Sequence, residues 1–396
     1  MNIIPTTTAM LAMLTLLSMS MFGIAVMVPE AARVFDLDTR YIGPLNSLTY
    51  LFAAVSGSLS SRYIQRYGSI RVCQICLGSA ALGLATYATG EAVLLPLCAL
   101  FLGIAYGPYN PASAHILADI TTDQSRPLVF SIKQLGVPIG GMLAGSMLPS
   151  LTIWLGWQIA LLCVAGFALL IAALVQPLHQ AEHSARIGTG PMSSGGLLAC
   201  ILLILHDAHL RRYTLVAFVF AGAQVCSGAF IVIYLNEELS MSLINAGLVL
   251  AVMQFGGIAG RLAWGATAER WLRSTTSLAL IGAMAAGCLF LTAHIDSSWP
   301  YAAILILSGL LGFSAFGWNG VVLSKIATLA PAGRSADATG GMQFVMFGGV
   351  VIFPSLFALL IGITGGYQLP FYLLSGVSIC GVLIVLGERH VRSSQR

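Results

Sequence analysis

Charge is scarce in this sequence: Asp, Glu, Lys and Arg together make up 8% of 396 residues, against 58% for the hydrophobic types. A soluble globular domain carries about 25% charged residues, so a water-exposed fold is excluded. A second deficit is more specific. All 14 acidic residues fall at the margins of apolar stretches or between them, and none lies well inside one. Basic residues are missing from Met1 to Met10, which excludes the n-region of a cleaved signal peptide and predicts that the first apolar segment is a retained helix. The eight cysteines are dispersed through apolar segments, so no disulfide framework is expected, and the pair Cys73 and Cys76 reads as helix packing. Alternation of polar and apolar residues over about ten positions is also lacking, which excludes a transmembrane β-barrel.

What is present is a series of charge-free runs: 1–29, 41–61, 72–90, 92–118, 134–181, 213–236, 239–260, 274–295, 297–324 and 338–387. A membrane helix needs about 20 apolar residues, so the runs 134–181 and 338–387 accommodate two helices each and the total is twelve. The expected fold class is an all-α integral membrane protein. With the N-terminus on the cytoplasmic side, most basic residues fall inside, among them Arg62, Arg66, Arg71, Arg126, Arg270, Arg273 and Lys325, while Arg33 and Arg40 fall outside. The net charge of +4 is therefore a topology signal and implies no nucleic-acid partner. Both termini are expected in the cytoplasm.

Residues 177–212 are rich in Pro, His, Ser, Gly and charge, and divide the chain into a six-helix bundle at 1–176 and a second at 213–396. The apolar piece Leu197–Leu205 within this linker is too short to span and is expected to lie at the interface. His179, His183, His206 and His209 lack acidic or cysteine co-ligands at matching distance, so neither a metal nor another cofactor is expected. No grouping of nucleophile, base and orienting residue suggests an enzyme; His115 beside Asp119 reads as an interfacial polar residue. The two halves repeat at an offset of 209 residues, which pairs Gly103 with Gly312, Asn110 with Asn319, Ala118 with Ala327 and Gln134 with Gln343. Parallel repeats of this kind place a substrate site near the midplane between the halves and allow rocking to expose it to alternate sides.

Two loops carry a family resemblance. Gln65-Arg66-Tyr67-Gly68-Ser69-Ile70-Arg71 and Gly265-Ala-Thr-Ala-Glu269-Arg270-Trp-Leu-Arg273 resemble the G-x-x-x-D-R-x-G-R loop of the major facilitator superfamily. Gln65 stands where the motif has an acid, and Leu272 where it has glycine. The resemblance covers the whole chain as six plus six helices. It implies that Arg66, Gly68, Arg71, Gly265, Glu269, Arg270 and Arg273 form cytoplasmic latches that hold one conformation.

Two basic residues lie well inside spans. Counting from Arg126 and Glu269, Lys133 and Arg261 sit about 10 and about 12 Å from the cytoplasmic face. An embedded cation costs at least a few kcal/mol, and with no internal carboxylate it is expected to face an aqueous cavity or an anion. Lys133 could alternatively snorkel to the interface, whereas the tilt of Cβ atoms aims Arg261 toward the midplane. Arg261 suits a carboxylate because its planar fork donates two parallel hydrogen bonds. Gln254, Gly257, Arg261 and Gly265 form a small-and-polar stripe on one helix face, and Tyr50 lies on a similar lining in the second helix. Asn110, Asn319, Gln134 and Gln343 complete the expected substrate wall, although the asparagines read equally well as interhelical hydrogen-bonding residues. Gly136, Gly140, Gly141 and Gly145 make small-residue pairs for close helix packing, and Pro138 is expected to bend the fifth span.

Arg261 with Gly265 is similar to the eighth-helix arginine of monocarboxylate and oxalate carriers. Gly257 stands where many of those carriers have an aspartate, and the first helix has no lysine, so the resemblance implies that Lys133 supplies the second positive position. The expected function is secondary transport of a small organic anion by alternating access, as proton symport or anion exchange, by a monomer in a bacterial inner membrane. The stretch Gly136-Val-Pro138-Ile-Gly140-Gly141 resembles the glycine-proline motif of drug-type antiporters, with the proline displaced by one position. That keeps proton-coupled efflux of amphipathic compounds as the alternative.

Overall fold

The computed structural model describes residues 2–122, 126–178, 197–331 and 334–393. Continuous apolar sequence can cross hydrocarbon only with every backbone group bonded within its own segment, and the chain is accordingly helical. The helices are α1 (Ile3–Phe35), α2 (Ile42–Ser58), α3 (Ser60–Tyr67), α4 (Ser69–Ala88), α5 (Leu95–Tyr106), α6 (Tyr109–Ile120), α7 (Arg126–Gln134), α8 (Gly136–Leu155) and α9 (Trp157–Leu174). They continue as α10 (Leu197–His206), α11 (Ala208–Glu237), α12 (Leu243–Arg270), α13 (Ser274–Thr292), α14 (Tyr301–Ala315), α15 (Asn319–Leu329), α16 (Ser335–Thr364) and α17 (Gln368–Ser393). Among the described residues, 11 segments are long and apolar enough to cross a membrane. The 17 residues of α2 run through Leu59 into α3 and complete the twelve spans.

Several ends are set by backbone chemistry. Gly68, between α3 and α4, has φ 92° and ψ 154°, a conformation closed to residues with a Cβ. Asp36 ends α1 in the left-handed region with φ 54°, its N–H donating to the Ala32 carbonyl. Asp207 caps α11 by accepting from the N–H groups of His209 and Leu210 at 2.8 and 2.9 Å. The ten residues of α10 pack on α16, where a Cβ at Gly341 would stand 2.5 Å from the Cys200 carbonyl oxygen.

By contacts the chain divides into two units, Met1–Met192 with Met241–Ala251, and Ser193–Ser240 with Val252–Arg396. The linker expected over 177–212 therefore carries its helical end, α10, into the second unit; residues 179–196 lie outside the described part. In lipid, helices gain little from hydrophobic burial against one another, so packing relies on close approach. In the first unit α8 lies on α1: a Cβ at Gly136 would meet the Leu14 Cβ at 2.8 Å, and one at Gly140 the Met19 nitrogen at 2.7 Å. Met10, Met13, Leu14, Cys73, Cys76, Leu77 and Tyr109 form part of the buried core of this unit. In the second unit α14 lies on α12, where a Cβ at Gly312 would meet the Met253 carbonyl carbon at 2.6 Å.

Among the described residues, three spans are interrupted. In the first unit one stops at Gly107 and restarts at Tyr109, and Pro108 explains why: it has no N–H for the Ile104 carbonyl. The Cys76 thiol points to that carbonyl at 3.6 Å. Another is broken at Leu135, three residues before Pro138. In the second unit the span 301–329 is interrupted at Phe316-Gly317-Trp318 with no proline present.

Candidate functional site

Both embedded cations put their charge near the C-terminal end of an interrupted helix, where unpaired carbonyls carry partial negative charge: Lys133 from its own helix, Arg261 by reaching across from α12. Lys133 is in the last turn of α7. Its ammonium is 2% exposed and donates to the Asn110 Oδ1 at 2.9 Å and the Ser113 Oγ at 3.0 Å, with the Tyr109 ring centroid 5.5 Å away. Ser113 in turn donates to the Tyr109 carbonyl at 2.8 Å, and the Tyr109 hydroxyl donates to the Met10 carbonyl. Asn110 and Lys133, both expected in the substrate wall, are thus brought together, but by bonding to each other. From the sequence, a lysine lacking a carboxylate was expected to face an aqueous cavity or an anion, or else to snorkel to the interface. The protein supplies neutral oxygens instead.

Arg261 reaches the break in the second unit. Its Nε donates to the Phe316 carbonyl at 3.2 Å. Three residues further along α12, the Trp264 Nε1 donates to the Phe313 carbonyl at 3.1 Å. That carbonyl is available because the Gly317 N–H bonds to Ser314 at 3.0 Å instead. Two side chains of one helix therefore serve the carbonyl end of α14, and the cation also complements its dipole. Gly257 packs on the Phe316 side chain, where an added Cβ would lie 2.9 Å from its Cβ, whereas Gly265 has open space around it.

Gln254, on the same face of α12, is fully buried, and neither its amide oxygen nor its amide nitrogen has a partner among the described residues. An orphaned buried amide costs about 1–3 kcal/mol per group, which a ligand or water would relieve. Asn319 is half-buried at the start of α15, and its Nδ2 donates to the Gln224 Oε1 at 3.3 Å. The Trp318 Nε1 donates to the same oxygen at 3.0 Å. Sequence reasoning overlooked Gln224. The signal was available: like Gln254, it is a lone amide in the middle of an apolar helix.

The remaining expected wall residues lie on three different helices. Tyr50 packs edge-on against Tyr106 with centroids 5.8 Å apart, and Gln134 and Gln343 are half-buried on α7 and α16. Of the expected latch residues, Arg66 stacks over Tyr67 at 5.3 Å, Gly68 forms the turn described above, and Arg71 donates to the Gln74 Oε1 at 3.0 Å. Arg273 precedes α13 in an extended conformation, and the side chains of Glu269 and Arg270 lie outside the described part. Among the described residues Arg33–Glu30 and Arg40–Asp38 form ion pairs, and the His115 Nδ1 lies 3.7 Å from the Asp119 carboxylate; none of these involves a latch residue.

Known proteins match this chain in sequence and in fold. The mouse (Mus musculus) Monocarboxylate transporter 11 is 25% identical over 381 residues, covering 91% of this chain and 81% of its own. An uncharacterized MFS-type transporter of Mycobacterium tuberculosis is 23% identical over 325 residues, covering 80% and 70%. A bacterial homologue of the human lysosomal transporter Spinster, inward-facing and unoccupied, superposes with TM-score 0.71 at 16% identity over 97% of this chain and 95% of its own. A mutant of the nucleoside transporter NupG superposes with TM-score 0.75 at 14% identity, covering 96% and 99%. These two likenesses establish the fold. The family model of the Major Facilitator Superfamily matches residues 9–354 and 215–396, so the chain belongs to that superfamily, a multi-pass membrane transporter of a small molecule and not an enzyme.

Proposed function

We propose that this transporter carries small organic anions, carboxylates foremost, by alternating access, with either a proton or a second anion as the coupled species. The observation that carries this reading is Arg261. It is embedded in a span of a chain whose acids all lie at helix margins, and its Nε bond to Phe316 sets the plane of the guanidinium fork. The two Nη groups of such a fork match the two oxygens of a carboxylate. The name of Monocarboxylate transporter 11 points to the same substrate class. Lys133, engaged by Asn110 and Ser113, contributes positive potential and orders Asn110 rather than touching the substrate. Gln254, Asn319, Gln134, Gln343 and Tyr50 are the polar wall, and the protein works as a monomer in a bacterial inner membrane with both termini cytoplasmic.

The test is uptake of mono- and dicarboxylates into proteoliposomes by the wild type and by Arg261→Ala. Loss of uptake by at least tenfold in the variant, with its thermal unfolding retained, supports the reading. Unchanged transport, or transport confined to neutral or cationic amphipathic compounds, overturns it in favour of efflux.

A further inference from the structure

We infer that Gln224 is a specificity-determining residue whose amide N–H groups donate to an oxygen of the substrate other than its charged group. This rests on the anion reading above and extends it to a residue that the repeat and charge patterns did not mark.

The inference starts from the indole of Trp318, which is 1% exposed and wedged edge-on against Phe220 with centroids 6.1 Å apart. An indole N–H is a donor only, so the atom facing it at 3.0 Å must be the oxygen of the Gln224 amide and cannot be its nitrogen. The contact of Asn319 to that same oxygen, at 3.3 Å, must then come from its Nδ2. One fixed indole thereby sets the orientation of two amides. It leaves the Gln224 Nε2 as a double donor and the Asn319 Oδ1 as an acceptor, neither with a protein partner among the described residues.

Gln224 and Asn319 are both half-exposed and lie far from either end of their spans. An amide facing hydrocarbon without a partner is strongly disfavoured, so these atoms face water or a polar ligand. The guanidinium of Arg261 is bonded to Phe316, two residues before Trp318. The charge ligand and the oriented amide pair therefore flank one three-residue break. An anion held by Arg261 that also bears a hydroxyl or carbonyl oxygen can accept from Gln224, and a hydroxyl can in addition donate to the Asn319 Oδ1. A carboxylate without that oxygen leaves both groups unmatched.

The first unit shows that this arrangement is particular to the second. There the equivalent asparagine, Asn110, has its oxygen turned to the donor-only ammonium of Lys133, so it offers its N–H groups instead of its oxygen.

The experiment measures KM in proteoliposomes for pairs of carboxylates of two to six carbons, each with and without a hydroxyl, such as butyrate and 2-hydroxybutyrate. Wild type is expected to prefer the hydroxylated member by about 3- to 10-fold, the range of one well-placed hydrogen bond. Gln224→Leu and Gln224→Glu should both collapse the KM ratio toward one. The second retains an acceptor for Trp318 and Asn319, removes the donor and adds a negative charge that raises KM for both members of a pair, so the ratio and not the absolute KM is the readout. Trp318→Phe, which frees the amide to turn, should shrink the ratio without adding to the effect of Gln224→Leu in the double variant. A ratio unchanged in the Gln224 variants, or a wild type that does not discriminate, overturns the inference even where Arg261→Ala abolishes uptake. Uptake of both members unaffected by Arg261→Ala sinks the anion reading itself, and the inference with it.

Discussion

Replacing Asn110 by leucine should destabilise this protein more than replacing Lys133 by methionine, although the second change removes a charge. The ammonium is 2% exposed and has two oxygen acceptors, at 2.9 and 3.0 Å. Hydrogen bonds to charged groups contribute about 1.5–3 kcal/mol each, and stripping a partner from a buried ion costs about 3–5 kcal/mol because the desolvated charge remains. Asn110→Leu removes one of two acceptors, so about 3 kcal/mol is expected. Lys133→Met has nearly the same length and deletes the charge together with its desolvation penalty. The partners it leaves behind are forgiving: Asn110 is half-buried and can turn to water, and Ser113 keeps its bond to the Tyr109 carbonyl. The net cost should stay within about 1 kcal/mol, as for other replacements of buried ionic groups by apolar ones of like volume. Thermal unfolding of the purified variants in one detergent gives the ordering directly, with Asn110→Leu lower in Tm by a few degrees. If Asn110→Leu unfolds with the wild type, or Lys133→Met falls below it, the ammonium is solvated by water and the account of a protein-solvated lysine is wrong.

Other outcomes follow from packing and from the loops. Gly312→Ala should cost about 1–3 kcal/mol, because its Cβ would stand 2.6 Å from the Met253 carbonyl carbon and backbone cannot step aside; exposed Gly287→Ala, with nothing within 4 Å, should be neutral or gain about 0.5–1 kcal/mol, and paired unfolding curves decide. At the loop before α2, the Asp38 carboxyl is held below its ordinary value of 3.8, first by the hydrogen bond from the Arg40 side chain. A depressed carboxylate stabilises the fold above its unfolded pKa and loses that contribution as pH falls through the folded one. Asp38→Asn should therefore lower stability slightly near pH 7, by under about 1 kcal/mol since both side chains are more than a third exposed, and the difference should vanish in acid.

The spans were legible because hydrocarbon imposes one rule everywhere: a run without charge, about 20 residues long, must be a helix. The repeat was legible in Asn110 and Asn319, which both open the second piece of an interrupted span. The interruption at Pro108 could be read from the sequence, whereas that at Phe316 could not, since no residue there forbids a helix. It depends on Arg261 and Trp264, which arrive from another helix. The partners of Lys133 were not legible for a related reason. The absence of carboxylates was taken to mean the absence of partners, but an amide and a hydroxyl from α6 serve, and nothing in the spacing of residues 110, 113 and 133 announces that they meet. Gln224 was not legible because neither charge nor repeat symmetry marks it, and the indole that orients its amide lies 94 residues away in sequence.

The break at Phe316 has no covalent cause, so it can be undone. On the proposed anion reading, any pull of the bound anion on the guanidinium acts on the bond to the Phe316 carbonyl, and whatever free energy that bond contributes to the bent form of the span is then shared with binding. Reciprocity then requires that the straight and bent forms differ in affinity by the same factor. On that proposed reading, cargo recognition and helix curvature are one equilibrium, read from two ends through a single arginine.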